Sequence, residues 1–139
     1  MLTRRKAREL AFILLFEECF NEDDVDGILE MAVEARDIET DEFSLRLFRE
    51  TVERKIQLDA IIARLSKGRS VSRLSKVVLC CLRLALYEID YMDDIDVSTS
   101  INEAVELAKT YAGEVEGGYV NGVLGTYVRE KNAEAGEAQ

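Results

Sequence analysis

Apolar positions in this chain recur at spacings of three and four almost throughout, the period of an amphipathic helix rather than a strand. Ala7, Leu10, Ala11, Leu14 and Leu15 form one such stripe and predict a helix over about 3–20, with Thr3 placed to cap it. Residues 22–26 are acidic and read as a turn. A short helix over 27–36 then offers Ile28, Met31, Ala32 and Ala35 to a core. Beyond the polar stretch 37–40, Phe43, Leu47, Thr51, Ile56, Ala60 and Ala63 predict one longer helix ending near Leu65.

Residues 66–70, Ser-Lys-Gly-Arg-Ser, form a loop and the best boundary between two lobes, about 1–66 and about 67–131. From 74 to 91 the apolar residues wrap the whole helix circumference, which predicts a central helix packed on several sides. Ser100 and Glu103 have the spacing of a capping box at the start of the next helix, whose stripe is Ile101, Ala104, Val105, Ala108 and Tyr111. Gly113 supplies its stop. A last helix over about 116–130 carries Val120, Val123, Leu124, Tyr127 and Val128, and the small, polar tail 132–139 is expected to fray. No stretch alternates apolar and polar residues, so the fold class is all-α.

Composition narrows the function. The 139 residues suit one domain, and 47% hydrophobic with 33% charged residues is a globular profile. Without His there is no imidazole metal ligand and no Ser-His-Asp or Cys-His catalytic group. The three Cys include the neighbours Cys80 and Cys81, which point about 100° apart on a helix and read as core rather than as a ligand pair. No disulfide framework is indicated, and free thiols suit a reducing cytoplasm. No apolar run is long enough to span a membrane, and the N-terminal six-residue run is too short for a signal segment.

The net charge of −10 opposes indiscriminate binding of nucleic acid, but the charges are segregated. Arg4, Arg5, Lys6 and Arg8 crowd the first eight residues with no acid among them. Arg64, Lys67, Arg69, Arg73, Lys76 and Arg83 form a second acid-free run. Each run reads either as an ordinary wet helix face or as a phosphate-binding patch. Arginines in the first turn of a helix oppose its dipole, which weakly favours the second reading. Arg83, embedded in the apolar helix, requires an ion-pair partner or a carbonyl contact bridging the lobes. Gly117-Gly118, flanked by Tyr111 and Tyr119, could form a turn beside stacking aromatics, or the tyrosines could be core edges. The acidic clusters Asp23-Asp24 and Asp93-Asp94-Asp96 match no cation-site spacing and read as solvated turns and helix N-terminal charge.

Arg4-Arg5-Lys6-Ala7-Arg8-Glu9, Arg83-Leu84-Ala85-Leu86-Tyr87-Glu88 and Ile101-Asn102-Glu103-Ala104-Val105-Glu106-Leu107-Ala108-Lys109 carry a family pattern together with Tyr119-Val120-Asn121-Gly122-Val123-Leu124. From about residue 3 to about 130 the chain resembles the NusB family of transcription antitermination factors. The resemblance implies an all-helical fold of two packed three-helix lobes, with no catalytic activity and no cofactor. It implies binding of single-stranded boxA RNA from ribosomal RNA operon leaders together with NusE, a ribosomal small-subunit protein. That complex joins other Nus factors on RNA polymerase. Matched residue by residue, the pattern implies RNA contacts at Arg4, Arg5, Arg8, Tyr111 and Tyr119. It implies partner contacts at Phe16, Arg73, Leu74 and Val78. Homodimerisation through the partner-binding helices, and a helical scaffold that binds protein without RNA, stay open as alternatives. The chain departs from the family pattern at Gly117 and Gly118, usually polar or basic, and at Val78, often acidic.

Overall fold

The computed structural model describes residues 2–66 and 69–137, so Lys67 and Gly68 of the expected lobe boundary lie outside the described residues. Among those residues there are α-helices, a π-helical turn and a 3-10 turn, and no strand. Helix α1 (Arg4–Glu18) starts where expected, with Thr3 Oγ1 accepting from the Lys6 amide at 3.1 Å. Its stripe from Ala7 to Leu15 is buried. Helix α2 (Val25–Glu30) runs on into a π-helical turn (Met31–Ala35), in which the Arg36 amide bonds to the Met31 carbonyl. The widened turn rotates its side chains, so Ile28 and Ala32 are buried while Met31 and Ala35 face outward.

The single long helix expected up to Leu65 is two helices, α3 (Glu42–Glu53) and α4 (Lys55–Leu65). They meet at Arg54, whose φ of −104° and ψ of 13° leave the helical basin. The break resets the phase. Leu47, Thr51 and Val52 of α3 point inward, but in α4 the buried residues are Leu58 and Ile62, and Ile56 is 81% exposed. Ala60 and Ala63, expected in the core, are exposed.

A 3-10 turn (Val71–Arg73) leads to α5 (Lys76–Tyr91), capped by Ser75 through the Val78 amide at 3.1 Å. Every residue from 78 to 88 is buried, the all-round burial that its pattern predicts. Helix α5 packs against α1, α3 and α4 on one side of the chain order and against α6 (Val97–Ala112) and α7 (Glu114–Glu137) on the other. Full burial of a large apolar side chain contributes about 1.5–3 kcal/mol, so the all-round burial of α5 is a large part of what holds the surrounding helices together. Arg83 meets its requirement by pairing with Asp59 of α4, with Nε and Nη2 each 2.7 Å from a carboxylate oxygen.

Two boundaries differ after α5. Helix α6 begins at Val97, one turn before the expected cap, so Ser100 sits inside it. Its hydroxyl donates to Glu88 Oε1 at 2.9 Å instead of capping. Helix α7 extends to Glu137, well past the expected end near 130, so the tail is helical through that residue. An ion pair from Arg64 of α4 to Glu130, and one from Lys131 to Asp90 of α5 at 2.6 Å, hold this extension.

Candidate nucleic-acid interface

The first turn of α1 presents Arg4, Arg5 and Lys6 at the positive end of the helix dipole, with no acid in that turn. All three side chains are exposed. Arg4 leans toward α3, its guanidinium 3.8 Å from the Phe43 ring centroid. This cation–π contact holds the charge while leaving N–H groups for an anion. Arg5 turns the opposite way, to α6, where Nε and Nη2 each donate to Glu103 at 3.2 Å. The carboxylate raises the Arg5 pKa above its ordinary value.

Tyr111, in the last turn of α6, is on the same α1–α6 seam. Its hydroxyl donates to Glu9 Oε2 at 3.1 Å and its ring lies 4.9 Å from that of Phe12. Partial burial, then the Glu9 carboxylate, raises its phenol pKa. The seam therefore combines an arginine with an aromatic ring 43% exposed. Glu103 and Tyr111 are eight residues apart on α6, roughly 12 Å along the axis, a span of a few nucleotides.

Tyr119 stands elsewhere. Gly113, with a φ of 104° that only glycine adopts without strain, separates α6 from α7. Gly117 and Gly118 are inside α7, so no glycine turn with free amides lies between the tyrosines. At Gly117 the hydrogen in place of a side chain admits Lys109, whose Cγ would lie 2.5 Å from a Cβ. Tyr119 is half-buried under Arg69, whose guanidinium is 4.3 Å from the ring centroid and 3.5 Å from Glu116. Its buried hydroxyl has no hydrogen-bond partner among the described residues. Tyr111 and Tyr119 thus belong to different surroundings.

Arg8 is withdrawn from the basic cluster. It is buried, and its Nε donates to both carboxylate oxygens of Glu88 at 3.1 and 2.9 Å. One helical turn rotates it away from Arg4 and Arg5 into the core, so the expected RNA contact there is replaced by an internal ion pair. Of the expected partner contacts, Arg73 is exposed and Phe16 lines an open cleft of about 430 Å³ with Phe20, Ile28 and Met31. Leu74 and Val78 are buried in this chain's own core and present no side chain to a partner. Phe43 and Arg69, read from the sequence only as a helix-stripe residue and a member of a basic run, set the posture of Arg4 and Tyr119, because contacts between residues so far apart in sequence emerge only when the helices are packed. No described helix is long and apolar enough to cross a membrane.

The NusB family model matches residues 5–129. The chain belongs to the NusB family. A transcription antitermination protein NusB from Acetivibrio thermocellus is 40% identical over 130 residues, covering 92% of this chain and 90% of the relative. T. maritima NusB superposes with a TM-score of 0.79 at 34% identity, over 93% of this chain and 92% of that one. A crystal structure of the antitermination factors NusB and NusE in complex with double-stranded RNA contains a chain with a TM-score of 0.77 at 28% identity, covering 88% of this chain and 93% of that one. Membership in the NusB family accounts for the all-helical fold, which the solved NusB structures share.

Proposed function

We propose that this protein is a transcription antitermination factor that binds RNA together with NusE. It is not an enzyme: its work is to hold RNA and protein, and membership in the NusB family is the observation that carries this reading. The solved NusB–NusE complex with RNA supports the pair of partners. The RNA is single-stranded and boxA-like, from ribosomal RNA operon leaders, and the complex acts in the cytoplasm on RNA polymerase with other Nus factors. In this reading phosphates meet Arg4, Arg5 and Lys6, supplying affinity without sequence preference, while Tyr111 offers a face on which a base stacks. Tyr119 and Arg69 extend the surface beyond Gly113. Phe16 and Arg73 remain the partner contacts, because both are accessible.

A second reading, a scaffold that binds NusE without RNA, is favoured by one observation. Glu103 occupies Arg5 and Glu88 removes Arg8, so two of the four N-terminal arginine and lysine charges are internally paired. Fluorescence anisotropy of a labelled boxA-type RNA, with and without NusE and against a scrambled RNA, separates the two. Tighter, sequence-dependent binding in the presence of NusE supports antitermination. NusE binding with no preference between the RNAs supports the scaffold.

A further inference from the structure

Three cysteines, all free thiols, are spread over α5 and the end of α1, and two of them meet. Cys19 is the cap residue at the C-terminus of α1, and its Sγ lies 3.6 Å from Sγ of Cys80 on α5, across 61 residues of sequence. Cys80 is fully buried, whereas Cys19 is half-buried and lines an open cleft of about 170 Å³. Three bases and three acids line that cleft with it, and one base reaches its sulfur. Arg83 Nη1 points at Cys19 Sγ from 3.9 Å while the rest of its guanidinium is fixed by Asp59. Lys76 lines the same cleft from α5 and Lys55 from α4, where Lys55 pairs with Glu18 at 2.6 Å; Glu22 and Asp59 are the other acids of the lining.

We propose that Cys19 is a reactive thiol, oxidised by peroxide reaching this cleft, and that Cys80 resolves it into an intramolecular disulfide joining α1 to α5. A nucleophilic thiol needs access and a cation close to its sulfur, and Cys19 has both, in the cleft and in Arg83, while Cys81, buried in apolar packing, has neither. The hydrogen bond between the Cys19 and Cys80 sulfurs is the largest influence lowering the Cys19 thiol, and Arg83 and Lys76 add to it; together they outweigh partial burial and Glu18 and bring Cys19 down to about 7. The same bond and its burial push Cys80 up, and burial alone pushes Cys81 up to about 12.

The chemistry closes with hydrogen peroxide as the only oxidant. The Cys19 thiolate attacks one peroxide oxygen, the O–O bond breaks, and the departing hydroxide takes a proton to become water, leaving a sulfenic acid on Cys19. Cys80 then attacks that sulfur. The S–O bond breaks as S–S forms, and the Cys80 proton joins the leaving hydroxide as a second water. Two thiols lose two electrons and one peroxide gains them. The sulfurs must close from 3.6 Å to about 2.05 Å, a movement that the end of α1 can supply.

The test exposes folded protein to a small excess of hydrogen peroxide, then counts thiols after denaturation and maps the peptides. The expected result is a fall from three thiols to one, a mass loss of about 2 Da, and a Cys19–Cys80 peptide in a monomeric chain. In Cys80→Ala, dimedone should trap a sulfenic acid on Cys19; in Cys19→Ser, both remaining thiols should survive. Circular dichroism confirms that each variant is folded. Should either fail to fold, the pH profile of iodoacetamide alkylation of the unmodified protein decides. Cys19 is expected to react at least about a hundredfold faster than Cys81, with a midpoint near pH 7 that rises in Lys76→Gln. Three surviving thiols, a link through Cys81 or between chains, or a Cys19 midpoint near that of an ordinary thiol would overturn the proposal.

Discussion

Arg8 and Glu88 face each other inside the protein, with side-chain exposures of only 5% and 1%. Ser100 Oγ shares Glu88 Oε1, so one carboxylate ties α1, α5 and α6 together. A buried pair of this kind contributes little net stability when intact, but removing one partner strands a charge in low dielectric. Arg8→Ala is therefore expected to lose about 3–5 kcal/mol in urea unfolding. Replacing both, Arg8→Met with Glu88→Leu, should cost much less than the two single changes together. An Arg8→Ala protein of unchanged stability that has lost RNA affinity would show that this arginine serves the RNA and not the core.

Glu103 is the negative group that pairs with Arg5 on the proposed RNA seam. Glu103→Gln keeps a hydrogen-bonding side chain beside Arg5 but releases its charge. RNA binding by the NusE complex should tighten roughly two- to fivefold, the scale of an exposed ion pair. Anisotropy titrations of the two proteins side by side give the answer, and weaker binding would mean that Glu103 positions Arg5 for the RNA.

Tyr87 gives stability an alkaline limit. Its hydroxyl donates to Glu50 Oε1 at 2.5 Å and accepts from Arg46 Nε at 3.1 Å. Burial, then the Glu50 carboxylate, pushes its phenol up to about 12. In an unfolded chain the phenol ionises near 10, so the folded state holds the proton more tightly. This contribution is full below about pH 10 and is lost as the pH rises toward 12. Tyr127, donating to Asp90, is shifted in the same direction. Urea midpoints measured across that range should fall for the native chain and fall less steeply for Tyr87→Phe.

The break at Arg54 makes a prediction that a continuous helix does not. Ile62→Ala should cost about 2–5 kcal/mol because Ile62 is fully buried. Ile56→Ala, at a position 81% exposed, should stay within about 0.5 kcal/mol. Chemical denaturation of both variants tests the helix phase directly, and equal losses would restore a single helix from 43 to 65.

These positions also show how far the sequence could be read. The stripe of α1, its Thr3 cap and the all-round burial of α5 follow from spacing alone, because each depends on residues within a few turns. Arg83 could be recognised as needing a partner, though not as needing Asp59. The break at Arg54 has no Gly or Pro to announce it, and the phase of α4 follows from packing against α5. Ser100 satisfied a local capping pattern, but the buried Glu88 carboxylate, twelve residues away, claims its hydroxyl. At the candidate site, Arg4, Arg5 and Tyr111 were legible as chemistry. What each faces was not: Phe43, Glu103 and Glu9 arrive from other helices. The meeting of Cys19 with Cys80 is hidden for the same reason.

The central claim is that RNA phosphates meet the first turn of α1, and the salt dependence of RNA affinity tests it most directly. With NusE present, the affinity for a boxA-type RNA is measured across a salt series for the native chain and for the triple variant Arg4→Ser, Arg5→Ser, Lys6→Ser. Each phosphate neutralised on single-stranded RNA contributes about 0.7 to the slope of log K against log salt, so the slope should become shallower by roughly 2. A slope unchanged by the triple substitution would place the RNA elsewhere on the molecule.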